Sequence, residues 1–472
     1  MKKHLLTIFI VLLIVGLVQA QDNKPQTGAE GLGDPYFPQL GNGGYNAEHY
    51  TLDLKWDDTS NRLDGTVTMR AKAYNDLSRF DLDFLGFTIN SVLVDGKEAT
   101  YKRDGRELQI TPPATLKQDE TFETAVSYSG VPGKGVPPFY DVFAEGWIRY
   151  DKGAYVASEP DGAAYWYPVN DHPLDKASYT FEITVPDAYT VAANGQLQTV
   201  VDNPDPTTTY TWETRDELAS YLATVNIAKF TIQKAVGPHG LPIRNYFPPD
   251  KADALTKIFS DFPNMIAFYE TIFGAYPFEA AGAVVIDSSL SFALETQTLI
   301  LFGKDIAVGR TGAQTVIAHE LAHQWFGDSV SLSQWKDVWL NEGFATYASM
   351  LWMEHSVSQA AMVKQMDQYY SIVVAQGSKY AAPANPPQDD LFNDGVYLRG
   401  AWALHALRLK VGDKIFFNIM HTYYDHFKYG NASTGDFTSI ASQVSGQDLE
   451  DFFQQWLFDE KVPAKPDQVF LP

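Results

Sequence analysis

The period of the side-chain pattern changes near Pro248-Pro249 and divides this 472-residue chain in two. Before that point, segments such as 49–57 ("HYTLDLKWD") and 178–185 ("SYTFEITV") alternate with the period of a β-strand. After it, apolar residues recur at helical spacing. A chain of this length exceeds one typical domain. The pattern therefore predicts an α+β protein with a β-rich first part and a mainly α second part.

The other segments follow the same division. Further strand-like segments are 65–75 and 79–85, and the helical segments are 250–273, 313–326, 334–353, 360–374, 396–411, 413–427 and 448–458, with a strand pair at 282–287 and 298–302. We therefore predict four consecutive units. They are a signal peptide (1–20), a lead-in loop (21–44), an N-terminal β domain (45–247) and a second domain (248–472).

The N-terminus has the pattern of a cleaved signal peptide. A basic start at Lys2 and Lys3 precedes an uncharged apolar run over 5–18, and the small residue Ala20 precedes polar sequence. A retained anchor helix is the alternative, but the run is shorter than the roughly 20 residues that cross a bilayer. We expect a periplasmic or secreted protein that has no membrane contact after cleavage.

The amino-acid composition excludes some kinds of active site and disfavours some classes of partner. The chain has no cysteine, which excludes thiolate metal sites and cysteine nucleophiles and leaves histidine and carboxylates as candidate ligands. The formal net charge is −23, from 58 acidic and 35 basic residues. Nucleic acid and anionic membrane surfaces are therefore disfavoured partners.

The stretch "AHELAHQWFGD" at 318–328 has two histidines and a glutamate at metal-site spacing. His319 and His323, at i and i+4 on a helix, share one face, and each can direct a ring nitrogen at one ion about 2.0–2.1 Å away. Glu320 lies beside that face, within reach of a metal-bound water. The alternative is a buried helix whose histidines bond to neighbouring carbonyls, which leaves the spacing a coincidence.

A third ligand follows in "VWLNEGFATY" at 338–347. Glu342 lies there on a second predicted helix, with eighteen residues between it and His323. Two histidines and one glutamate leave the fourth position of tetrahedral zinc open for water, as a catalytic site requires. We predict one zinc ion per chain, bound by His319, His323 and Glu342, with Glu320 as general base.

These motifs resemble the zinc aminopeptidases of the aminopeptidase N type, gluzincins with the pattern HExxH-x18-E. The likeness includes "GGYNAEHYTLDL", "YWYPVNDHPLDKASYTFEITVP", "VYLRGAWAL" and "DLEDFFQQWL". It implies a sandwich- or saddle-like β domain followed by a thermolysin-like zinc peptidase domain, in the short two-domain secreted bacterial form. It also implies that a zinc-bound water removes N-terminal residues from peptides, with Glu320 as base and then acid.

The resemblance also implies roles for residues outside the metal motif. Glu295 in "FALETQT" matches the glutamate of the family's Gly-Ala-Met-Glu-Asn stretch, and Ala293 is a substrate-binding residue of that stretch. Glu159 in "ASEPDGAAYW" matches a glutamine or glutamate that reaches in from the β domain. Both glutamates would hold the free α-ammonium of a peptide. Tyr397 in "VYLRGA" matches the tyrosine whose hydroxyl donates to the developing oxyanion.

The chain departs from the family pattern near the substrate. Phe292 replaces a glycine and Thr296 an asparagine, and we expect the phenylalanine to narrow or displace the cleft. Longer members carry further modules that cap the cleft, whereas this chain stops where the catalytic domain ends. We therefore expect a more open site that accepts long peptides.

Two further departures concern the surroundings of the metal ligands. Ser349 replaces a glutamate that commonly buttresses a ligating histidine, and we expect Asp337 or Thr346 to take that place. Arg399 replaces a lysine beside the tyrosine, which keeps the charge but changes the geometry.

Three alternative functions stay open at this point. A thermolysin-type endopeptidase would use the same zinc residues without an amine anchor, and a lipid-epoxide hydrolase shares the fold and the metal. A non-catalytic peptide-binding module could also retain the fold. The favoured hypothesis is a monomeric aminopeptidase that acts on peptides with a free N-terminus.

Overall fold

The computed structural model of the protein describes residues 25–133, 146–307, 310–377, 382–468 and 470. Strands dominate up to residue 247 and helices dominate after it, which confirms the predicted α+β class. The predicted signal peptide lies outside the described residues. Within the described part of the chain, no helix combines the length and the apolar character that crossing a bilayer requires.

Within the described residues, the strands of the first part up to residue 228 form three sheets. The strands are β1 (Gln26–Thr27), β2 (Tyr45–Asp57), β3 (Arg62–Ala73), β4 (Leu77–Asp83), β5 (Thr88–Val94), β6 (Lys97–Glu98), β7 (Thr100–Asp104), β8 (Glu107–Thr111), β9 (Thr121–Gly130), β10 (Gly146–Tyr150), β11 (Gly153–Ala157), β12 (Ser178–Pro186), β13 (Thr190–Ala193), β14 (Gln196–Asp202), β15 (Thr207–Glu213) and β16 (Val225–Ala228). The largest sheet has the order β14-β15-β12-β2-β3-β9-β5-β6.

Period-two burial explains why this sheet forms where the sequence predicts it. In β12, Tyr179, Phe181, Ile183 and Val185 are buried, and the residues between them are partly exposed. Since side chains of a strand point alternately to opposite faces, one face of β12 joins the core. β12 lies between β15 (antiparallel) and β2 (parallel).

The second part is mainly helical. After β17 (Thr231–Val236) and β18 (Pro242–Phe247), which end the first part, its elements are α1 (Ala252–Ile258), α2 (Phe262–Phe273), β19 (Ala281–Ile286), β20 (Ile300–Gly303), α3 (Arg310–Ala322), β21 (Ser331–Leu332), α4 (Trp339–Ser356), α5 (Gln359–Gln376), α6 (Gly400–Val411), α7 (Asp413–Phe427), β22 (Asn431–Ala432), α8 (Thr434–Ser445) and α9 (Glu450–Phe453). The predicted helix at 250–273 is two helices, α1 and α2, with a 3₁₀ turn at Phe259–Asp261 between them. Pro263 opens α2 because proline suits the first turn of a helix and not its interior.

A four-stranded sheet crosses the predicted domain boundary at 247/248. β17 pairs with β18 in antiparallel fashion, and β18, β19 and β20 follow in parallel. Backbone hydrogen bonds thus join the chain on both sides of the boundary, whose position stays a prediction. β20 begins two residues later than predicted because Thr298 has a φ of 66°, outside the β region.

The two parts of the chain are tied together by a buried lysine. The ammonium group of Lys176, just before β12, donates to the carbonyls of Asp328 (3.0 Å), Ser329 (3.1 Å) and Gly430 (3.1 Å). Lys176 is only 6% exposed, so these bonds supply the polar partners that a buried ammonium requires. They fix the turn after α3 to the first part of the chain.

The neighbouring carboxyl group of Asp175 generates a pH-dependent stability. Burial raises the pKa of Asp175 to about 8, although it accepts hydrogen bonds from the Ala47 amide and the Asn170 side chain. Because the folded protein favours the protonated acid, this group stabilises the fold fully below about pH 4, its usual pKa. That stabilisation is lost as the pH rises through about 8.

Asp175→Asn keeps the shape of the protonated acid and removes the titration. Between pH 4 and pH 8 we expect the wild type to lose stability relative to this variant, by an amount on the order of a few kcal/mol. Urea unfolding of both proteins across this range measures the difference. A difference that stays constant with pH would contradict the assignment.

Candidate active site

Three side chains converge on one point in the second part of the chain. His319 Nε2 lies 3.1 Å from His323 Nε2 and 3.1 Å from Glu342 Oε2, and His323 Nε2 lies 3.4 Å from Glu342 Oε2. Two ligands at about 2.0–2.1 Å on a tetrahedral zinc ion are separated by about 3.3–3.4 Å. The triangle of donor atoms therefore fits one zinc ion, with the fourth position left for water or substrate.

The end of α3 aims both histidines at this point. α3 ends at Ala322, four residues before the predicted end, so His319 lies in its last turn and His323 just beyond it. Gly327, with a φ of 135°, allows the chain to reverse there, and a Cβ on it would lie 3.2 Å from His323 Nδ1. His323 Nδ1 donates to the Phe326 carbonyl at 3.0 Å, which leaves Nε2 free for the metal.

A close helix contact brings Tyr397 to the same place. α4 carries Glu342 in its first turn, and a Cβ on the next residue, Gly343, would lie 3.0 Å from the backbone of Gly400 in α6. The two helices can approach this closely because both residues are glycine. Tyr397 lies in the π-helical turn Gly395–Arg399 before α6, and its ring stacks on His319 with centroids 6.0 Å apart. Such turns are frequent at functional sites.

A cavity of about 310 Å³ contains every site residue that the sequence predicts. Its lining residues are Ala157, Glu159, Ser291, Phe292, Ala293, Leu294, Glu295, His319, Glu320, His323, Glu342, Phe392 and Tyr397. Glu159 comes from the loop after β11 and Glu295 from the segment before β20, so the two parts of the chain each supply a carboxylate. The roles of these residues stay predictions.

The cavity is strongly acidic. Burial raises the pKa of Glu320 well above its usual value, and the charges of Glu295 and Glu342 raise it further. Burial likewise raises the pKa values of Glu159 and Glu295. Burial also acts to raise the pKa of Glu342, but the charge of His323 and the histidine hydrogen bonds lower it to about 2. No lysine or arginine is among the described residues that line the cavity, so a bound cation is what would compensate these charges.

The residues around the metal ligands show which side chain lies beside His319 where the family has a glutamate. Thr346 Oγ1 lies 3.4 Å from His319 Nδ1, and Ser349 supports it by donating to the Thr346 carbonyl at 2.8 Å. Asp337 instead accepts from Thr434 at 2.6 Å, away from the histidines. The partner of His319 is therefore Thr346 and not Asp337.

Arg399 lies beside Tyr397 in sequence, but its side chain binds backbone carbonyls near the end of the chain. Its guanidinium donates to the carbonyls of Gln455 (2.8 Å), Trp456 (3.0 Å) and Asp459 (2.6 Å). These carbonyls lie at the C-terminal end of the turn that follows α9, where a cation is favourable. Arg399 thus holds the turn Gln454–Phe458 against the turn Gly395–Arg399 that carries Tyr397, here called the tyrosine turn.

Phe292 forms a wall that two cavities share. It lines the catalytic cavity and also an adjoining cavity of about 380 Å³, whose other apolar residues include Leu290, Ile306 and Val316. The expectation that this phenylalanine shapes the cleft agrees with that position. Its effect on substrate choice stays a prediction.

Sequence reasoning missed the partner of Glu295. Tyr221, in the 3₁₀ turn Ser220–Leu222, donates its hydroxyl to Glu295 Oε1 at 3.3 Å. Asn341, next to Glu342, donates to the same hydroxyl at 3.5 Å. A single tyrosine among 26, far from the motif in sequence, carries no signal that could have identified it.

Comparison with known proteins identifies the relatives of this chain. The profile of the peptidase family M1 domain matches residues 259–456, and that of the peptidase M1 N-terminal domain matches residues 46–222. "Probable aminopeptidase 1" of Saccharolobus solfataricus is 26% identical over 440 residues, which cover 89% of this chain and 54% of that protein. The chain spans about half the length of the curated relatives it matches.

Solved structures resemble the chain over nearly its whole length. An M1 zinc metallopeptidase from Deinococcus radiodurans has a TM-score of 0.83 at 30% identity and covers 94% of this chain and 100% of its own. A mutant of an M1 zinc metallopeptidase from the same organism, bound to a Tyr-Ser-Ala substrate, has a TM-score of 0.82 at 30% identity, with coverage of 93% and 100%.

Glu342→Gln tests the metal cluster. The amide keeps the shape of the side chain but removes its negative charge, so we expect zinc affinity to fall by at least about 100-fold. Zinc stoichiometry after dialysis against a weak chelator measures the change. Glu354→Gln is the matched control, because Glu354 lies in the same helix and pairs with Arg408 instead. Equal zinc retention in both variants would exclude Glu342 as a ligand.

Proposed function

The chain belongs to peptidase family M1, and on that premise we propose that it is a zinc-dependent aminopeptidase. It removes N-terminal residues from peptides that have a free N-terminus. The observation that carries this proposal is the presence of Glu159 and Glu295 in the same cavity as the three-ligand metal cluster. A free α-ammonium is the cation that two carboxylates beside a metal site can recognise.

The distance between amine site and metal site suits an exopeptidase. Carboxylate oxygens of Glu295 and Glu320 and a ring nitrogen of His323 all lie within 4.8 Å of one another. An ammonium group held by Glu295 therefore places the first peptide bond, and not a later one, beside the metal cluster. Cleavage then proceeds one residue at a time from the N-terminus.

The chemical step depends on proton transfers by this chain's own residues. His319, His323 and Glu342 would hold the zinc ion, which would supply Lewis-acid chemistry: polarisation of the scissile carbonyl and a lowered pKa of water. Glu320 takes a proton from the attacking water and passes it to the leaving amine. Burial raises its pKa above the usual value, a direction that strengthens a carboxylate as a base.

Tyr397 supplies the hydrogen bond to the developing oxyanion. Burial, together with the charges of Glu342 and Glu159, raises the pKa of its hydroxyl well above the usual value. The hydroxyl therefore stays protonated and able to donate at neutral pH. A donor already in place where charge develops lowers the barrier without reorganisation.

Mass-spectrometric analysis of peptides with free and acetylated N-termini tests the activity. With zinc-loaded protein we expect stepwise N-terminal loss from the free peptides only. Glu320→Gln should lower kcat by about 10²–10⁴-fold, because the amide cannot accept the proton.

The other outcomes of this experiment identify the alternatives. Internal cleavage of both peptide sets would indicate an endopeptidase and would remove the amine-binding role from Glu295. No cleavage despite bound zinc would favour a binding module or a lipid-epoxide hydrolase. An assay with an epoxide fatty acid would then distinguish these two, because only the hydrolase would convert it.

We also propose that the protein is exported as a monomer to the periplasm or the medium. The support is the basic, apolar and small-residue order of residues 1–20 and the net charge of −23, which favours solubility. N-terminal sequencing of protein purified from outside the cytoplasm should begin at Gln21. A mature chain that still carries Lys2 and Lys3 would contradict cleavage.

A further inference from the structure

We propose that Gln324 is the positioning residue that sets the distance between the amine-binding carboxylate and the metal cluster. Gln324 directly follows the ligand His323, and its side chain reaches the segment that carries Glu295. This inference deepens the proposed aminopeptidase function and rests on it.

The amide group of Gln324 uses its full hydrogen-bonding capacity. Its Oε1 accepts from the backbone amide of Thr298 at 2.8 Å and from the hydroxyl of Tyr276 at 3.2 Å. Its Nε2 donates to the carbonyl of Glu295 at 2.8 Å and to Asp328 Oδ2 at 2.7 Å. A glutamine amide has two donor hydrogens and two acceptor lone pairs, and each has a partner here, although the single Tyr276 hydrogen is shared with the Ala280 carbonyl at 3.1 Å. The side chain is buried, so no water competes for these bonds.

Both ends of the amine-binding segment are held by this one side chain. The carbonyl of Glu295 and the amide of Thr298 bracket residues 295–298, and Gln324 bonds to each. Thr298 has a φ of 66°, a left-handed conformation that a β-branched residue adopts only where its surroundings impose it. Gln324 is one of the groups that impose it.

The β-rich part of the chain holds the same segment from the other side. Asn194 Nδ2 donates to the carbonyl of Gln297 at 2.7 Å, and the backbone amide of Gly195 donates to Thr298 Oγ1 at 2.8 Å. These contacts attach the segment to the first part of the chain, but they do not connect it to α3 or to the turn after α3 that carries His323. Gln324 supplies the direct connection from the segment to the residue beside a metal ligand.

This connection matters because an exopeptidase needs two fixed points. The ammonium group and the first scissile carbonyl belong to the same residue of the peptide. The distance between Glu295 and the metal cluster must therefore stay fixed. A displacement of about 1 Å in a positioned substrate can cost on the order of 100-fold in rate. Tyr221 orients the Glu295 carboxylate, whereas Gln324 locates its backbone.

Two substitutions of Gln324 and one matched control test the proposal. Gln324→Met keeps the length and removes all four hydrogen bonds, and Gln324→Glu keeps the acceptors and removes both donors. The control is Gln314→Met, because Gln314 lies in α3, the helix that ends just before Gln324, and its amide donates to the Ile258 carbonyl at 2.7 Å, away from the cavity. Gln324→Glu also carries the test if Gln324→Met does not fold.

We expect both Gln324 variants to bind one zinc ion per chain and to raise KM for free-amine peptides by about 10-fold or more. The change in kcat should be smaller, and the preference for free over acetylated peptides should fall by a similar factor. Gln314→Met should leave KM and this preference unchanged.

A binding measurement separates positioning from catalysis. In a Glu320→Gln background, calorimetry with a free-amine tripeptide and its acetylated form reports affinity without turnover. Gln324→Met should weaken only the free-amine peptide. Equal losses for both peptides, or loss of zinc, would overturn the proposal and assign Gln324 to support of the metal helix. If the wild type shows no preference for a free amine, the proposed function fails together with this inference; a failure in the variants alone leaves that function intact.

Discussion

Four carboxyl groups share one buried cavity, and the cost of ionising them there without a bound cation governs the rest of the site. Glu159, Glu295, Glu320 and Glu342 line it, and none of the described residues around them is a lysine or an arginine. Uncompensated buried charges are costly, so the cavity favours cations. A divalent metal and a substrate ammonium are the two cations that the proposed activity brings to it.

The fold keeps these groups in place with contacts between its two parts. α3 and α4 supply the metal ligands, and the loop after β11 supplies Glu159. The Lys176 ammonium ties the turn after α3 to the first part through three carbonyls, and Tyr221 crosses from that part to Glu295. Glu159, Glu295 and the metal cluster therefore lie at one interface, and a shift between the two parts would change their spacing.

The tyrosine turn is held by packing on two sides. Gly343 and Gly400 let α4 and α6 approach closely, which fixes the turn relative to Glu342. On the other side, the guanidinium group of Arg399 donates to carbonyls in and just after the turn Gln454–Phe458. Tyr397 thus reaches the cavity from a rigid base, as a preorganised oxyanion donor requires.

The sequence by itself determined the α+β division, the metal cluster and the candidate cavity residues. Local periods decide strand and helix, and the i, i+4 spacing predicted that His319 and His323 share one side of the chain, although the turn after α3 is what aims His323. Glu295, Glu159 and Tyr397 were found through matched motifs, because nothing in their local pattern distinguishes them from surface or packing residues.

The tertiary structure alone decided the rest: the end of α3 at Ala322, the choice of Thr346 over Asp337, the capping role of Arg399, and the bonds of Tyr221 and Gln324 to the Glu295 segment. These are contacts between residues far apart in the chain, which leave no periodic trace in sequence because their partners are set by how the helices and sheets pack.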